Sequence, residues 1–527
     1  MSRYLSNDID SEGEDDIEDF TTKFQHPRIV TPKVPSGINT CEIIGSKLIV
    51  VMVGLPARGK SYIVKKLKRY LGWLQYDTKI FNVGNLRRNI TQQLTNGTSH
   101  SHEFFDPSNK NAKETREKLA MESLDELIGW LKKGGRVGIH DATNSTKSRS
   151  RKNILERCQR ENNFKVLFIE SICDIKKVLD ANMRLKLSGP DYKNMNPDEA
   201  LADFRKRVEN YEKAYETIGE EEEQSNIQYC KLINFGRKVI ANNIQGYLSG
   251  QCIFYLMNFN LESIQIWLTR HGESVHNIEK KIGGDPTLTE KGKKYGACLT
   301  RFLQKQKQLF RQKQLEKYQE EEFYIKYDLG LRYSPTSYVT SSPTSYLPPS
   351  SASAANPNDE LKEQEPPEKN FFVWTSLLKR TIQTVENFDT KEFCIMHIRF
   401  LNEIYAGHCE EMTYEELDKR YPNQDNNLYF RYPGMGGESY LDVIHRINPL
   451  IIELERMTDN VLIVTHCIVL RILLAYFRDV EKEKVPDIDV PLHTLYCLEP
   501  KPFGNELSQW KYDEEKDWFF PDSEILF

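Results

Sequence analysis

The sequence predicts an α/β protein with two domains, the first built on a mainly parallel sheet. Three observations support this prediction. The chain has 527 residues, more than one ordinary domain contains. Apolar strand-like runs alternate with amphipathic helical segments over residues 41–250, an alternation typical of βαβ units. A second α/β segment begins near Leu261 and extends to about residue 500.

Composition limits the partners to be expected. The formal net charge of −5 gives no reason to expect a large basic surface, so nucleic acid is not an expected partner. No apolar run is long enough to span a bilayer, so no membrane association is expected. The ten cysteines are scattered without a CxxC pair, which favours a reducing compartment and a cytoplasmic protein. The sequence leaves a homodimer open.

Three segments are predicted to lie outside the folded domains. Residues 1–40 are acidic and then contain Pro and Thr, so they are predicted to be a disordered tail. Residues 304–330 are rich in Gln, Lys and Glu, and 334–368 in Ser, Pro, Tyr and Asn. Because such a composition does not bury a core, residues 304–370 are predicted to form a disordered insert. Residues 501–527 are predicted to be a C-terminal tail.

Strands are predicted wherever short apolar, β-branched runs occur. In the first domain these runs are Leu48–Val53, Arg136–Ile139 and Lys165–Ile169. In the second domain they are Ile264–Leu268, Phe371–Trp374 and Asn460–Val464. After the first strand, Ile63, Val64, Leu67 and Leu71 fall on one helical face, which predicts an amphipathic helix.

The first strand leads directly into the pattern of a nucleotide-binding P-loop, G-x-x-x-x-G-K-S. In this loop successive backbone N–H groups face the phosphates, Lys60 reaches the β- and γ-phosphates, and the Ser61 hydroxyl ligates Mg²⁺. A strand before the motif and a helix after it are the context that the motif requires. ATP and Mg²⁺ are therefore expected cofactors. The loop consists of Gly54, Leu55, Pro56, Ala57, Arg58, Gly59, Lys60 and Ser61.

A carboxylate follows another strand of the same domain. Asp141 can meet Mg²⁺ or orient an acceptor hydroxyl. A lone Asp after a strand is usually a helix cap, but the P-loop upstream favours the functional role here. Arginines recur through the domain, and an anionic sugar phosphate needs several of them. They are Arg87, Arg88, Arg116, Arg149, Arg205 and Arg207.

Five motifs in order resemble the bifunctional 6-phosphofructo-2-kinase/fructose-2,6-bisphosphatase family, with a fungal-like pattern. They are Gly54–Ser61, Phe81–Arg88, Asp141–Asn144, Glu170–Cys173 and Lys186–Tyr192. The resemblance covers about residues 41–500 apart from the insert. It implies a P-loop kinase domain followed by a histidine-phosphatase domain of the phosphoglycerate-mutase-like α/β class.

The resemblance also implies roles in the kinase site. Asp141 is the implied catalytic carboxylate, Lys186 the stabiliser of the transferring phosphoryl group, Asn182 an ATP contact, and Cys173 a position linked to the site. The segment Asp174–Leu185 is one residue shorter than the family pattern. Since one residue turns a helix by about 100°, the resemblance does not determine the relative placement of Asn182 and Lys186. The implied fructose 6-phosphate contacts are Arg87, Arg116, Thr143, Arg149, Arg207 and Tyr211.

A second phosphate motif, Arg-His-Gly-Glu, follows the first strand of the second domain. A neutral, in-line imidazole can attack phosphorus, so His271 is the candidate nucleophile. The developing charge needs fixed cations around it, for which the candidates are Arg270, Arg380 and His466. Glu403 is the candidate general acid for the leaving oxygen. The resemblance adds Asn277, Gly283, Tyr414, Tyr440 and Arg471 as substrate contacts.

The outer part of this second site departs from the family. The segment Tyr421–Tyr429 is short and has no basic residue, where the family has a basic loop for the 6-phosphate. Gly434-Met435-Gly436, Cys467 and Tyr405 stand where some members have a Lys, a Gln and an Asp. Loss of two charged hydrogen bonds to a phosphate costs roughly 3–6 kcal/mol of binding free energy.

Three functions remain open at this point. The first is an enzyme that both makes and hydrolyses fructose 2,6-bisphosphate. The second is a histidine phosphatase for another phosphorylated sugar, with a weak or silent kinase. The third is a catalytically idle relative with a regulatory role, against which the joint presence of Lys60, Asp141, His271 and His466 argues.

Overall fold

The fold is described from a computed structural model. It describes residues 47–94, 102–106, 108–146, 151–161, 163–187, 189, 191–192, 195–234, 236–260, 262–330, 365–422, 427–501 and 504–522. The predicted tail 1–40 lies outside these residues, as does the predicted sugar-phosphate contact Arg149.

The N-terminal sheet has six strands in the order β2-β3-β1-β4-β5-β6. All pairs are parallel except β5 with β6, which confirms the predicted mainly parallel sheet. The strands are β1 (Lys47–Val53), β2 (Thr78–Asn82), β3 (Val137–Asp141), β4 (Phe164–Ile172), β5 (Gln228–Ile233) and β6 (Lys238–Asn242).

Helices cover this sheet. The predicted face of the first helix, Ile63, Val64, Leu67 and Leu71, is buried against it. The helices are α1 (Lys60–Trp73), α2 (Val83–Leu94), α3 (Lys110–Lys132), α4 (Lys152–Gln159), α5 (Lys176–Leu187), α6 (Pro197–Glu212), α7 (Glu220–Gln224) and α8 (Tyr247–Asn258), with a short 3-10 helix at His102–Phe105.

The C-terminal sheet has seven strands in the order β13-β12-β11-β7-β10-β8-β9. The four strands β7, β10, β8 and β9 are parallel, and the antiparallel strands β11, β12 and β13 extend the sheet beyond β7. The strands are β7 (Ile266–Arg270), β8 (Phe371–Thr375), β9 (Cys394–His397), β10 (Asn460–Thr465), β11 (Thr494–Lys501), β12 (Gly504–Asp513) and β13 (Trp518–Pro521).

The helices of the second domain are α9 (Val275–Glu279), α10 (Glu290–Gly330), α11 (Lys379–Thr384), α12 (Tyr414–Arg420), α13 (Tyr440–Arg456) and α14 (Cys467–Arg478). Short 3-10 helices lie at Arg399–Leu401, Gly407–Cys409 and Lys482–Asp487. Within the described ranges, no helix is both long enough and apolar enough to cross a membrane.

The prediction of a disordered insert over 304–370 is wrong for residues 304–330. They continue the helix α10, whose first turns are anchored in the core by Tyr295, Leu299 and Phe302. Gln, Lys, Glu and Arg are good helix formers, and elongation from an anchored turn is easier than nucleation. Residues 331–364 lie outside the described residues.

The prediction of a C-terminal tail over 501–527 is also wrong for its described part. Strands β12 and β13 lie within it, and their Trp510, Tyr512 and Phe519 pack on a cluster that contains Trp267 and Phe302. The alternation of these large side chains with polar residues is the two-residue period of a half-buried strand. This period marks the segment as the edge of the sheet.

The two domains meet through charged groups buried beneath α1. Lys66 Nζ lies 2.7 Å from the Glu455 carboxylate of α13, and Arg69 also pairs with Glu455. Tyr476 of α14 donates to the same carboxylate at 2.8 Å. Trp73 Nε1 donates to Asn448 Oδ1 at 2.9 Å, so the far end of α1 belongs to the core of the second domain.

Candidate active sites

The P-loop turns from β1 into α1 through two glycines in the left-handed region. Gly54 has φ +134° and Gly59 φ +79°. A Cβ added at Gly54 would lie 2.5 Å from the Ser171 carbonyl oxygen of the neighbouring strand. The loop therefore requires glycine at this position, and it brings the backbone to the carboxyl edge of the sheet where a ligand binds in α/β folds.

The side chains predicted to be catalytic in the first site converge at this edge because β1 and β3 are adjacent parallel strands. Ser61 Oγ lies 3.2 Å from Asp141 Oδ2, to which Asn82 Nδ2 donates at 2.6 Å. Lys60 Nζ donates to the carbonyls of Gly54 and Leu55. Burial lowers the Lys60 pKa to about 7, against an opposing effect of Asp141.

A pocket of about 680 Å³ opens over the P-loop. It brings together most of the residues predicted for this site, which lie far apart in the sequence. Lining it are Pro56, Ala57, Arg58, Gly59, Lys60, Ser61, Arg87, Arg116, Asp141, Thr143, Asn182, Lys186, Arg207 and Tyr211.

The structure gives the relative placement of Asn182 and Lys186, which the shorter segment before Lys186 had left open. Asn182 and Lys186 lie one turn apart on α5 and both line the pocket. Asn182 Nδ2 donates to the Ala57 carbonyl at 3.0 Å, which ties α5 to the P-loop. Cys173, at the end of β4, is buried and is not among the residues that line the pocket, and burial raises its thiol pKa. Its link to the kinase site stays a prediction.

Three arginines gather around one carboxylate in the pocket. Asp191 accepts from Arg87 at 2.7 Å, Arg88 at 3.1 Å and Arg207 at 3.2 Å. Although burial opposes it, the arginine charges hold the Asp191 pKa well below its usual range. Arg207 also stacks over the Phe105 ring, with its guanidinium carbon 3.8 Å from the ring centroid. The arginine groups are therefore held in place on two sides.

Two nitrogens in this cluster, Arg87 Nε and Arg207 Nε, are buried and have no hydrogen-bond partner among the described residues. A buried donor without a partner costs free energy unless a ligand or water satisfies it. Both arginines line the pocket, so the donor set fits an anionic group such as a phosphate.

The second site forms at the carboxyl edge of the C-terminal sheet. Adjacent parallel strands β7 and β10 align Arg270 with Thr465, so His271 and His466 follow side by side. Their ring centroids lie 5.2 Å apart, and both rings are buried. This separation allows one phosphoryl group to contact both histidines.

Arg380, at the start of α11, lies between the two rings. Its Nε is 3.1 Å from His271 Nε2 and 3.2 Å from His466 Nδ1. Its Nη1 donates to the Gly284 carbonyl at 2.8 Å. The His271 Nδ1 lies 2.7 Å from the carbonyl of Gly272. The proton of His271 is thus held at Nδ1, and Nε2 keeps the lone pair that a nucleophile needs.

Both rings are neutral at physiological pH. Burial, followed by the charge of Arg380, holds the pKa of His271 well below 6.5, and the same two causes lower that of His466. A neutral ring is the form that attacks phosphorus.

The other predicted groups surround this pair. Glu403 accepts backbone N–H bonds from Ile404 and Cys467, both at 3.0 Å, so its carboxylate is fixed. Arg270 Nη1 donates to the Val490 carbonyl at 3.0 Å, while its Nε is buried and has no partner in the part of the chain that the structure describes. That free donor fits an oxygen of a bound phosphoryl group.

The outer residues are more loosely connected to the pair. Asn277 Oδ1 caps α9 by accepting from Ser274 N at 2.9 Å. Gly283 has φ +66°, and a Cβ added there would lie 2.1 Å from Glu410 Oε2. Arg471 donates to Tyr440 Oη at 2.9 Å and interacts with Glu403, whereas Tyr414 is exposed. Their roles as substrate contacts stay predictions.

Sequence reasoning gave no role to several residues of the two sites. Asp191 and Asn82 lie inside two of the family motifs, but the sequence analysis gave neither a role. For Asp191, the recurring arginines of the domain were a usable signal. Ser376 lies in the turn after β8, and its Oγ is 2.8 Å from His466 Nε2. Phe105 gave no signal, because only the fold brings it to Arg207.

The fold and the two sites together define a P-loop kinase joined to a histidine phosphatase. Residues 38–263 match the family described as 6-phosphofructo-2-kinase, and residues 352–513 match the histidine phosphatase superfamily, branch 1. The chain belongs to the 6-phosphofructo-2-kinase/fructose-2,6-bisphosphatase family. Membership implies the use of ATP.

Relatives with this assignment come from fungi and animals. A protein named "Probable 6-phosphofructo-2-kinase PB17E12.14c" from Schizosaccharomyces pombe is 45% identical over 89% of this chain and 70% of its own length. "6-phosphofructo-2-kinase 1" from Saccharomyces cerevisiae is 42% identical over 92% of this chain and 54% of its own length. "6-phosphofructo-2-kinase/fructose-2,6-bisphosphatase 3" from Homo sapiens is 36% identical over 89% and 78%.

Proposed function

We propose that this chain phosphorylates fructose 6-phosphate at O2 with ATP and hydrolyses the resulting 2-phosphate at a second site. The single observation that supports this best is the presence of two complete phosphoryl-handling groups in one compact unit, residues 45–527. The first group is Lys60, Ser61 and Asp141, and the second is the pair His271 and His466 bridged by Arg380.

In the kinase reaction the P-loop amides and Lys60 bind the ATP phosphates, and Lys186 balances charge on the group in transfer. Asp141 orients the sugar hydroxyl, and Arg87 and Arg207 hold the sugar phosphate with their unpartnered nitrogens. The hydroxyl of Ser61 and the carboxylate of Asp141, 3.2 Å apart, fit Mg²⁺, which takes few protein ligands. Mg²⁺ supplies charge neutralisation at the phosphates.

In the phosphatase reaction His271 Nε2 forms a bond to phosphorus while the bond to the sugar oxygen breaks. Glu403 gives that oxygen its proton. Arg270, Arg380 and His466 stabilise the equatorial oxygens of the transition state. Water then attacks the phosphohistidine and gives a proton to the Glu403 carboxylate, and phosphate leaves as its bond to His271 Nε2 breaks, which returns both residues to their starting forms.

The structure also favours a second candidate, a phosphatase for a different phosphorylated metabolite. The basic side chains beside the altered loop are engaged elsewhere, since Arg431 pairs with Asp442 at 2.5 Å and Arg446 with Glu438 at 2.9 Å. Met435, in the separate segment Gly434-Met435-Gly436 where some members of the family have a Lys, is 95% exposed. Residues 423–426 of the short segment lie outside the described residues.

Two assays on the purified full-length chain test these functions. Incubation with ATP, Mg²⁺ and fructose 6-phosphate measures the kinase. Incubation with fructose 2,6-bisphosphate labelled at the 2-phosphate measures release of phosphate and label on His271. Both activities support the bifunctional enzyme, label from other phosphate esters alone supports the second candidate, and neither activity identifies an idle relative.

Two further proposals concern assembly and location. We infer a homodimer from two features of the first domain. Strand β6 forms an edge of its sheet, and α8 exposes the large apolar side chains of Tyr247, Phe254 and Met257. Sheet edges and exposed apolar side chains both favour contact with a second copy of the chain. Sedimentation of the full chain tests this. We also infer a cytoplasmic location, since the nine cysteines of the described residues are all free thiols. Fluorescence microscopy of a tagged chain tests the location.

A further inference from the structure

One aromatic ring of the kinase pocket lies beside three of the arginines predicted to hold the sugar phosphate. The ring belongs to Phe105, the last residue of the short 3-10 helix His102–Phe105. The guanidinium carbon of Arg207 lies 3.8 Å from the ring centroid, that of Arg87 5.1 Å and that of Arg116 6.0 Å. These arginines come from the helices α6, α2 and α3. The ring is therefore the point at which the cations of three helices meet, at distances where cation–π attraction acts.

The apolar core does not account for the burial of this ring. Phe105 is 3% exposed, yet it does not belong to the apolar clusters that the described residues of the first domain form around the sheet and beside the P-loop. Its aromatic neighbours are Phe104, with ring centroids 5.2 Å apart, and Tyr211, at 5.6 Å. The ring lines the same pocket as the three arginines. Phe105 is thus buried among the charged groups of the site.

The charges around the ring are out of balance. One carboxylate, that of Asp191, accepts hydrogen bonds from three arginines. A further arginine, Arg116, donates to the backbone carbonyl of Phe104. Burial, followed by the charge of Arg207, lowers the pKa of Arg87. The face of an aromatic ring carries partial negative charge and attracts a cation, most strongly where water is excluded. The ring therefore adds attraction where a single carboxylate faces several cations.

Contact with a ring face leaves the hydrogen-bond donors of a guanidinium available. The group is flat and its N–H bonds lie in its plane, so a ring stacked on it does not block the edges. At 3.8 Å, Arg207 lies against the ring face, while its Nη1 donates to Asp191 at 3.2 Å. The Nε of Arg207 and that of Arg87 are buried and have no partner from any residue that the structure describes. These edges fit a phosphate.

We propose that Phe105 is a positioning residue of the sugar-phosphate site, whose ring face holds three guanidinium groups where their N–H edges meet the phosphate. The proposal rests on the kinase activity proposed above and adds the group that orders its anion-binding arginines. Without the ring face the arginines repel one another and lose their orientation. Because the ring acts through the arginines, its loss should weaken the binding of fructose 6-phosphate and leave the transfer step unchanged.

Fluorine on the ring tests its π face with little change of shape. In the full-length chain, Phe105 is replaced through amber suppression by 4-fluoro-, 3,5-difluoro- and 3,4,5-trifluorophenylalanine. Each fluorine withdraws electron density from the ring face and so weakens its attraction for a cation. We expect KM for fructose 6-phosphate to rise with each fluorine, to about tenfold for the trifluoro ring, while kcat and KM for ATP change less than about twofold. Phe105→Leu, which keeps an apolar side chain without a ring, should raise this KM at least as much.

A second phenylalanine of the same domain provides the matched control. Phe168 of β4 is buried within an apolar cluster on the sheet, so the same three fluorinated residues at this position should leave KM for fructose 6-phosphate unchanged. A KM that does not respond to the number of fluorines at Phe105, or that responds equally at Phe168, overturns the proposal. If Phe105→Leu does not fold, the fluorinated series decides the outcome, since it changes the volume little.

Two measurements separate this proposal from the kinase activity itself. Calorimetric titration with fructose 6-phosphate gives Kd for each variant without turnover. A wild type that binds this sugar phosphate but does not phosphorylate it contradicts the proposed kinase, while the dependence of Kd on fluorine number still decides the role of Phe105. A wild type that does not bind it contradicts both proposals.

The contact between ring and arginine is measured directly by NMR. In full-length protein with ¹⁵N-labelled arginine, the ring current of Phe105 should shift the Nε–H proton of Arg207 upfield, and Phe105→Leu should remove this shift. The signal is assigned by its loss in Arg207→Lys. A wild type without the shift overturns the proposal, whatever the kinase activity.

Discussion

Single side chains of this protein carry roles that depend on a few hydrogen bonds. Asp191 orders three arginines in the kinase pocket, and Arg380 orders two histidines in the phosphatase site. In both cases a charged group fixes its neighbours before any ligand arrives. Such preorganisation lowers the cost of stabilising charge during phosphoryl transfer.

Asp191→Asn should weaken binding of the sugar phosphate. Without the carboxylate, Arg87 and Arg207 repel each other and lose their fixed positions, so KM for fructose 6-phosphate should rise about tenfold, or about 1.4 kcal/mol. Initial-rate kinetics at saturating ATP measure this. Asp125→Asn is the matched control, since it removes a more exposed ion pair with Arg157, at 2.7 Å, in the same domain. A lower KM would show that Asp191 competes with the substrate.

Buried His140 should make stability depend on pH. Burial lowers its pKa from 6.5 to about 4, and the neutral ring lies between the Ala120 carbonyl and Asn144 Nδ2. As the pH falls, the unfolded chain takes up this proton before the folded chain does. The stabilisation from the neutral ring is therefore complete above pH 6.5, and about 2 kcal/mol of the free energy of unfolding is lost at pH 5. Urea unfolding of wild type and His140→Gln at pH 7 and pH 5 measures it.

The variant should lose less stability between the two pH values than the wild type does. His408→Gln, at an exposed position, is the control and should follow the wild type. Equal losses in the wild type and His140→Gln would show that this ring is not kept neutral by the fold.

Local sequence signals predicted which residues converge at the centres of the two candidate sites better than they predicted the residues around them. The P-loop, Asp141, His271 and His466 each follow a strand, and parallel pairing brings strand ends together, so their convergence was predictable. Ser376 and Asp191 were not assigned, because a hydroxyl or carboxylate acquires such a role only through partners distant in sequence. The contact of Phe105 with Arg207 was not predictable for the same reason.

At the scale of elements, one helix links the two domains. Helix α1 begins at Lys60 in the P-loop, and its later turns place Lys66 and Arg69 on the Glu455 carboxylate of α13. These cations hold the Glu455 pKa down to about 2, against the opposing effect of burial. A charge cluster of this kind is costly to disrupt, since one lost partner leaves the others buried without compensation.

Glu455→Gln should therefore destabilise the chain by about 3–5 kcal/mol, because two cations would remain buried without a counter-charge. Denaturant unfolding followed by fluorescence measures the loss. Asp479→Asn is the control: it removes the exposed pair with Lys68 and should cost less than about 1 kcal/mol. A loss of the same small size for Glu455→Gln would show that the cluster is hydrated.

Element prediction failed where composition and periodicity pointed in different directions. The Gln- and Lys-rich segment after residue 304 was predicted to be disordered, yet its helix is anchored by Tyr295, Leu299 and Phe302 in the turns just before it. The segment after residue 501 is polar on average, but its alternating Trp510 and Tyr512 form a sheet edge. Average composition conceals both features.

At the scale of the whole molecule, the described residues from 47 onward belong to one compact unit. The α/β class followed from the alternation of strands and helices, whereas the kinase and histidine-phosphatase types of the domains came from the motifs and the family resemblance. The contact between domains did not, because Lys66, Arg69 and Glu455 resemble ordinary surface charges in the sequence. A ligand at one domain is therefore expected to stabilise the other.

Nucleotide binding should protect the phosphatase sheet from global unfolding. At ATP and Mg²⁺ one hundred times above Kd, the stabilisation is about 2.7 kcal/mol, so amide hydrogen exchange in Val461–Val464 should slow about a hundredfold if the domains unfold together. Mass spectrometry measures the exchange. Lys60→Met should abolish the effect, and protection confined to β1–β5 would show that the two domains unfold separately.

The shared charge cluster also limits how the gene can be cut. A fragment that begins at Asn260 would keep Glu455 and Tyr476 but lose both cations supplied from α1. The surface that contacted α1 would then be exposed to solvent as an acidic, partly apolar patch. Because of this patch, the excised phosphatase would tend to aggregate. Any chimera or minimal enzyme made from this chain must either carry the second half of α1 with the phosphatase or replace Glu455 with an apolar residue.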